Sequence, residues 1–168
     1  LLDLGTGSGC LLLALLSELP KAQGIGIDIN PDALATARRN AASLGFGDRA
    51  AFAEHSFTDD LGSLGDFDVI LSNPPYIPTG EIDGLEVDVK SFDPASALDG
   101  GTDGMACWRQ LLPRLAAVLA VDGMAFVEIG RGQENAVTAA AEKVNLQIRD
   151  SHCDLAGITR CLALSIKM

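Results

Sequence analysis

The sequence has few cations, few aromatics and no paired cysteine motif. Its 12 Lys and Arg stand against 23 Asp and Glu, a formal net charge of −11. Nucleic-acid binding draws much of its affinity from Lys and Arg contacts to phosphate, so this balance argues against direct nucleic-acid binding by these residues alone. A partner domain would have to supply the missing positive charge. Aromatics make up 5% of the chain, with one Trp and one Tyr, so each is a conspicuous candidate for a role. The four cysteines, Cys10, Cys107, Cys153 and Cys161, are scattered, and none forms a Cys-x-x-Cys pair. That spacing speaks against a zinc site or a disulfide framework and predicts free or buried thiols in a reducing compartment. No metal ligands are assigned. The longest apolar run, around Cys10–Leu16, is far short of a membrane span. No charged segment leads into an apolar core and cleavage site, so no secretory signal is read. The expected location is the cytoplasm. The chain opens Leu1-Leu2-Asp3, without Met and with an apolar strand under way, and reads as a piece of a longer protein.

Against these absences stand 168 residues that are 48% hydrophobic, enough for one domain with a proper core. Strand patterns fall at Leu1–Leu4, Gly24–Ile29, Arg49–Ala53, Phe67–Ser72, Gly123–Ile129, Leu146–His152 and Thr159–Ile166. Helical patterns occupy Leu11–Leu19, Pro31–Leu44, Met105–Leu119 and Gln133–Val144. Asn30 is placed to cap the second helix, with Pro31 at its first position. Asp103 is a candidate cap for the third. Thr79–Gly104 has little periodicity and reads as a long loop, and long loops in compact domains are usually functional. Alternation of strands and helices predicts an α/β fold with a mostly parallel sheet and helices on both faces. The last two strands have no helix between them and are expected to form a hairpin, so that one of them runs antiparallel.

Two segments carry the chemistry. Asp3-Leu4-Gly5-Thr6-Gly7-Ser8-Gly9 joins the first strand to the first helix. Glycines there permit backbone conformations and close approaches that a side chain blocks, and ligands of open α/β sheets bind at that edge. A dinucleotide fingerprint would need Gly at Cys10, and a P-loop would need Gly-Lys-Ser/Thr; neither is present. Asp3 disfavours a pyrophosphate and suits a cationic ligand, such as the amino group and sulfonium of S-adenosylmethionine. Asp28 follows about twenty residues on, at the end of the second strand, where a carboxylate accepts hydrogen bonds from a ribose.

Asn73-Pro74-Pro75-Tyr76 follows the fourth strand at the same edge. Two prolines fix φ and remove two amide donors, so the turn is stiff. Asn73 offers a side-chain carbonyl acceptor, and Tyr76 a flat face for packing. A planar amide or amine nitrogen is a poor nucleophile because its lone pair is delocalised. Two acceptors, Asn73 and the Pro74 carbonyl, would bind its two hydrogens and favour a more tetrahedral nitrogen as the transition state develops.

Together, Asp3–Gly9, Asp28 and Asn73–Tyr76 resemble the class I S-adenosylmethionine methyltransferases that modify amide or exocyclic amino nitrogens. Ser91–Gly101 with Asp103-Gly104, Glu128–Gln133 and Asp154–Gly157 narrow the resemblance to the HemK (PrmC) family, and it covers essentially the whole chain. The resemblance implies a Rossmann-like sheet of seven strands, mostly parallel, with the last antiparallel. It implies S-adenosylmethionine as cofactor, S-adenosylhomocysteine as product, and no metal. The cofactor set is then Asp3, Gly5, Thr6, Gly7, Gly9, Asp28, Ile29, Ser56, Phe57 and Asn73. Asn73, Pro74 and Tyr76 form the catalytic set, and Pro75 joins them in binding substrate. The implied reaction methylates N5 of the glutamine in the Gly-Gly-Gln motif of class I peptide-chain release factors. The alternatives are a glutamine of a ribosomal protein, or an exocyclic amino group in DNA or RNA. Two departures stand out. Ser56 occupies the place of the family's usual acid near the adenine, within Glu54-His55-Ser56-Phe57, and His55 itself reads as a surface loop residue. The family's helical N-terminal domain, which grips the release factor, is absent, so residues 1–168 are expected to be the catalytic domain alone. Glu86, Asp88 and Arg131 are further candidates for the substrate channel, with Arg131 favoured as a surface residue.

Overall fold

Seven segments of three to ten residues, most of them apolar, become strands of one sheet in the computed structural model, which describes residues 1–86 and 94–167. The strands are β1 (Leu2–Leu4), β2 (Gly24–Asp28), β3 (Ala50–Glu54), β4 (Phe67–Ser72), β5 (Leu119–Glu128), β6 (Leu146–Cys153) and β7 (Thr159–Ile166). The helices are α1 (Cys10–Glu18), α2 (Pro31–Ser43), a single turn α3 (Ala95–Leu98), α4 (Ala106–Val118) and α5 (Glu134–Glu142). No helix among the described residues is long and apolar enough to cross a membrane.

The sheet order is β3-β2-β1-β4-β5-β7-β6. β1 to β5 run parallel, and β7 is antiparallel to both β5 and β6. The expected hairpin is therefore present, and its second strand is the reversed one. From β1 the chain steps outward through β2 to β3, then returns to the other side of β1 and steps outward through β4 to β5. Parallel crossovers are right-handed, so opposite stepping directions put the connecting helices on opposite faces. The boundary between β1 and β4 is the switch point, where ligands of such sheets bind.

The longer helices bury the stripes that their sequences carry, whereas the single turn α3 buries none of its residues. α2 buries Leu34, Ala37 and Ala41, a spacing of three and four residues that keeps them on one face. α4 buries Cys107, Trp108, Leu111, Leu112, Leu115 and Val118. Asn30 caps α2 as expected, its Oδ1 accepting from the Asp32 and Ala33 amides at 2.9 and 3.4 Å. Asp103 does not cap α4. Its carboxylate accepts from the Met105 amide in a local turn and pairs with Arg109, while Met105 is the capping position. β5 begins at Leu119 rather than Gly123, because α4 runs straight into it. The price is an irregular register, Phe67 opposite Leu119 but Val69 opposite Met124. Thr79–Gly104 is less plain than its sequence: Thr79–Gly84 forms 3-10 turns, Ala95–Leu98 a helical turn, and Ile77 bridges Asp99. Asp88 and the Ser91-Phe92-Asp93 part of that segment lie outside the described residues.

Candidate active site

Parallel pairing of β1 with β4 sets Leu4 against Ser72. The residues that follow, Gly5 and Asn73, are thereby brought side by side at the carboxyl edge, 68 positions apart in the chain. Ser72 Oγ donates to the Leu4 carbonyl at 3.0 Å and ties the two strand ends together. A cavity of about 300 Å³ opens there, lined by Gly5, Gly7, Asp28, Ile29, Phe57, Asn73 and Pro75. That volume is at the lower end of small-molecule sites, about 300–1,000 Å³. Seven residues expected at the site thus share one cavity.

The glycine loop is held from behind. Gly5 and Thr6 amides both donate to the Ile27 carbonyl at 2.9 Å, which seats the loop on β2. Gly5, Gly7 and Gly9 have φ of 74°, 55° and 80°, the left-handed region that glycine adopts without steric cost. Asn40 of α2 donates to the Ser8 carbonyl at 2.9 Å. Asp28 accepts from the Gly7 amide through Oδ2 and from the Asn30 amide through Oδ1, both at 2.9 Å. Each carboxylate oxygen has a second lone pair, so Asp28 stays able to accept hydroxyls while its position is set by the backbone.

Asp3, Thr6 and Gly9 do not line the cavity. Asp3 is 1% exposed, and its Oδ2 accepts from the Thr6 hydroxyl at 2.6 Å. Burial pushes its carboxyl up to about 6; the Thr6 hydroxyl and a Leu12 backbone hydrogen bond pull it down, and the charge of Asp28 adds to the rise. Asp3 therefore braces the loop and acts on a ligand only through the field of its charge. Gly9 packs under the loop, where a Cβ would stand 3.2 Å from Ala37 Cβ.

On the opposite wall, Pro74 is buried and outside the cavity lining, Asn73 is exposed, and Tyr76 is half-buried. The Tyr76 hydroxyl donates to Glu128 Oε1 at 2.8 Å. Burial and that carboxylate push its phenol up to about 12, so it stays protonated. Tyr76 is thus anchored to the end of β5 and does not line the cavity.

Ser56 also lies off the cavity. Its hydroxyl shares a 2.7 Å hydrogen bond with Thr58 and accepts from the Thr58 amide, a local turn. His55, read from sequence as a surface residue, is a lining residue instead. Its amide donates to the Asp28 carbonyl at 3.1 Å, which extends the β2–β3 ladder by one rung and carries the ring to the cleft. Its Nδ1 is 3.4 Å from Asp59 Oδ2, close enough to pair when protonated, yet it makes no hydrogen bond. Sequence reasoning also missed Asn30, Ala33, Pro94, Ser96 and Ala97 as lining residues. Asn30 was legible only as a cap, and the last three sit in a segment without periodicity. Glu86 and Arg131 are exposed and do not line the cavity. Among the described residues, no group of three or more His, Cys, Asp and Glu is placed to hold a metal ion.

The arrangement fits a nucleoside with a cationic end. A glycine cradle, a carboxylate free to accept hydroxyls and the Phe57 ring share the cavity, and the Asp3 charge lies beneath the cradle.

A family model described as a methyltransferase domain matches residues 1–119. The release factor glutamine methyltransferase of Bradyrhizobium diazoefficiens is 48% identical over 165 residues, covering 96% of this chain and 54% of that protein. The protein of the same name from Caulobacter vibrioides is 52% identical over 139 residues, covering 83% of this chain and 48% of that protein. The chain spans about half the length of the curated relatives it matches. Among solved structures, a ribosomal protein L11 methylase from Lactobacillus delbrueckii subsp. bulgaricus superposes with TM-score 0.71 at 23% identity, over 99% of this chain and 69% of that one. TrmN from Thermus thermophilus gives 0.68 at 20% identity, over 98% and 43%. What these two share with the chain is the fold, a Rossmann-like methyltransferase sheet of seven mostly parallel strands with flanking helices.

Proposed function

Because this chain belongs to the methyltransferase-domain family and, within it, to the HemK/PrmC family, we propose that it methylates a glutamine side-chain nitrogen of class I release factors. The methyl donor is S-adenosylmethionine, and residues 1–168 act as the catalytic domain of a cytoplasmic protein. The single observation that carries the reading is the meeting of Asn73 with Gly5, Gly7 and Asp28 in one cavity at the switch point.

Asp28 holds the ribose, the Gly5–Gly7 backbone borders the donor, and Phe57 flanks the adenine. Asp3, ionised at neutral pH beneath the cradle, favours the donor's cationic amino acid end. When bound, S-adenosylmethionine supplies an electrophilic methyl group and leaves as S-adenosylhomocysteine. Asn73 Oδ1 and the Pro74 carbonyl accept the two hydrogens of the substrate carboxamide and aim its nitrogen. Both acceptors strengthen as positive charge grows on that nitrogen, which is the differential binding that lowers a barrier. Pro75 and the stiff turn keep those acceptors in place, so much of the catalysis is positioning. The nitrogen sheds its proton after transfer, and no residue here needs to act as a base beforehand.

The test uses the full-length parent protein with labelled S-adenosylmethionine and a purified class I release factor. The release factor is wild type or carries Ala in place of the Gly-Gly-Gln glutamine. Label on the wild type alone supports the reading. Label on both sends the acceptor elsewhere in the release factor. No label on either, with donor binding confirmed, removes release factors as substrate.

A further inference from the structure

The stiff turn that presents Asn73 has to be located as well as stiffened, and the prolines do only the second. The Gln133 carboxamide, just ahead of α5, makes three hydrogen bonds to three separate segments. Nε2 donates to the Tyr76 carbonyl and to the Gly104 carbonyl, both at 3.0 Å. Oε1 accepts from the Gly130 amide at 2.9 Å. A Gln amide offers two donors and one acceptor oxygen. Reversed, it would set its oxygen against two carbonyls and its NH2 against an N–H, so one orientation satisfies all three. The seat is closed around it: a Cβ on Gly104 would stand 2.5 Å from the Tyr76 oxygen and 2.6 Å from Nε2, and one on Gly130 2.9 Å from Oε1. A side chain at Gly104 or Gly130 would intrude on this head group.

We infer that Gln133 is a positioning residue for the reaction: its carboxamide joins the Asn73–Tyr76 turn to the loop end at Gly104 and to the end of β5, and so sets where Asn73 stands. This rests on the reading of Asn73 and Pro74 as the amide-binding acceptors. Gln133 touches neither the cavity nor the residues that hold the donor. Its loss therefore shifts the acceptor wall and leaves the donor wall alone. A displacement of about 1 Å at a reacting centre costs on the order of a hundredfold in rate.

The experiment compares Gln133→Met and Gln133→Glu with wild type in the full-length protein. Donor affinity is expected within about twofold of wild type, with kcat down on the order of a hundredfold and KM for the release factor little changed. Gln133→Glu is expected to regain part of its kcat as pH falls, because only the protonated carboxyl can donate to a carbonyl; Gln133→Met gains nothing there. Equal loss of donor affinity and kcat, or kcat unchanged, overturns the inference. Amide hydrogen exchange supplies a readout that needs no acceptor. In whichever variant remains folded, Ile77 and Gly100 amides are expected to exchange faster while Gly5 and Thr6 do not. Unchanged exchange at Ile77 overturns the inference, whereas a wild type that methylates no release factor overturns the substrate reading instead.

Discussion

On the β1–β2 wall of the cleft, backbone groups and the side chains of Asp3, Asp28 and Asn40 do the holding. The glycine loop hangs from Ile27 and Asp28, and the residues that shape it lie within the first forty positions. On the β4–β5 wall, side chains do it across long separations. Tyr76 reaches Glu128, and Gln133 reaches Tyr76 and Gly104. The contrast fits what each wall handles in the proposed reaction. A donor nucleoside is always the same, so a preformed backbone cradle suits it. An amide on a large protein has to be aimed, and a turn braced at both ends aims it.

Substitution separates the walls. The largest effect is expected for Asn73→Ala, which removes the acceptor proposed to strengthen in the transition state. Turnover should fall by about 10²–10³-fold with donor affinity within about twofold, read by single-turnover transfer and calorimetry. Equal losses in both would erase the division of labour. Asp28→Ala should do the reverse. It strips the proposed ribose acceptor and leaves the Gly7 and Asn30 amides without their carboxylate, which should weaken the donor by on the order of a hundredfold. Turnover at saturating donor should largely return.

Asp3 gives the donor wall a pH dependence in the weakly acid range. Its folded-state pKa of about 6 lies above the ordinary 3.8, so the folded protein binds this proton more tightly than the unfolded chain. Stability contributed by Asp3 is then present below about pH 4 and lost as pH rises through about 6, a swing of roughly 3 kcal/mol. Urea unfolding at pH 4.5 and 7.5 should show about two-thirds of that fall in wild type and a flatter response in Asp3→Asn. Donor affinity should weaken in the opposite sense, below pH 6, as the charge under the cradle is neutralised. An Asp3→Asn protein with the wild-type pH profile would remove Asp3 from both accounts. The smallest effect belongs to Asn30→Ala. It loses the cap of α2 and should cost about 1 kcal/mol of unfolding free energy.

The legible parts were those whose causes are local. Glycines at positive φ, Asn30-Pro31 at a helix start, and a β-branched run ending in Asn-Pro-Pro announce themselves within a few residues. His55 lies in a loop as read, but its place at the cleft was not legible because it comes from one ladder hydrogen bond to Asp28, not from its neighbours. Ser56 was placed in the cofactor set because it occupies the position of the family's usual acid near the adenine, while its hydroxyl turns to Thr58. Asp103 looked like a cap because acids before helices often are, yet its carboxylate closes a turn one step early.

By itself the sequence determined the strand and helix types, the parallel sheet with a closing hairpin, the glycine loop, Asp28 and the Asn-Pro-Pro-Tyr turn. These follow from side-chain period, chain stiffness and backbone freedom, which act over a turn or two. Only the tertiary structure decided that Gly5 and Asn73 stand together, since that depends on β1 pairing with β4. It also decided the seat of Gln133 and the service of Arg49, whose guanidinium on β3's approach bonds the Leu16, Leu19 and Ala22 carbonyls at the end of α1. Hydrogen bonds of this kind join groups dozens of residues apart. Nothing in the residues nearby marks them until the sheet has brought its strands into register.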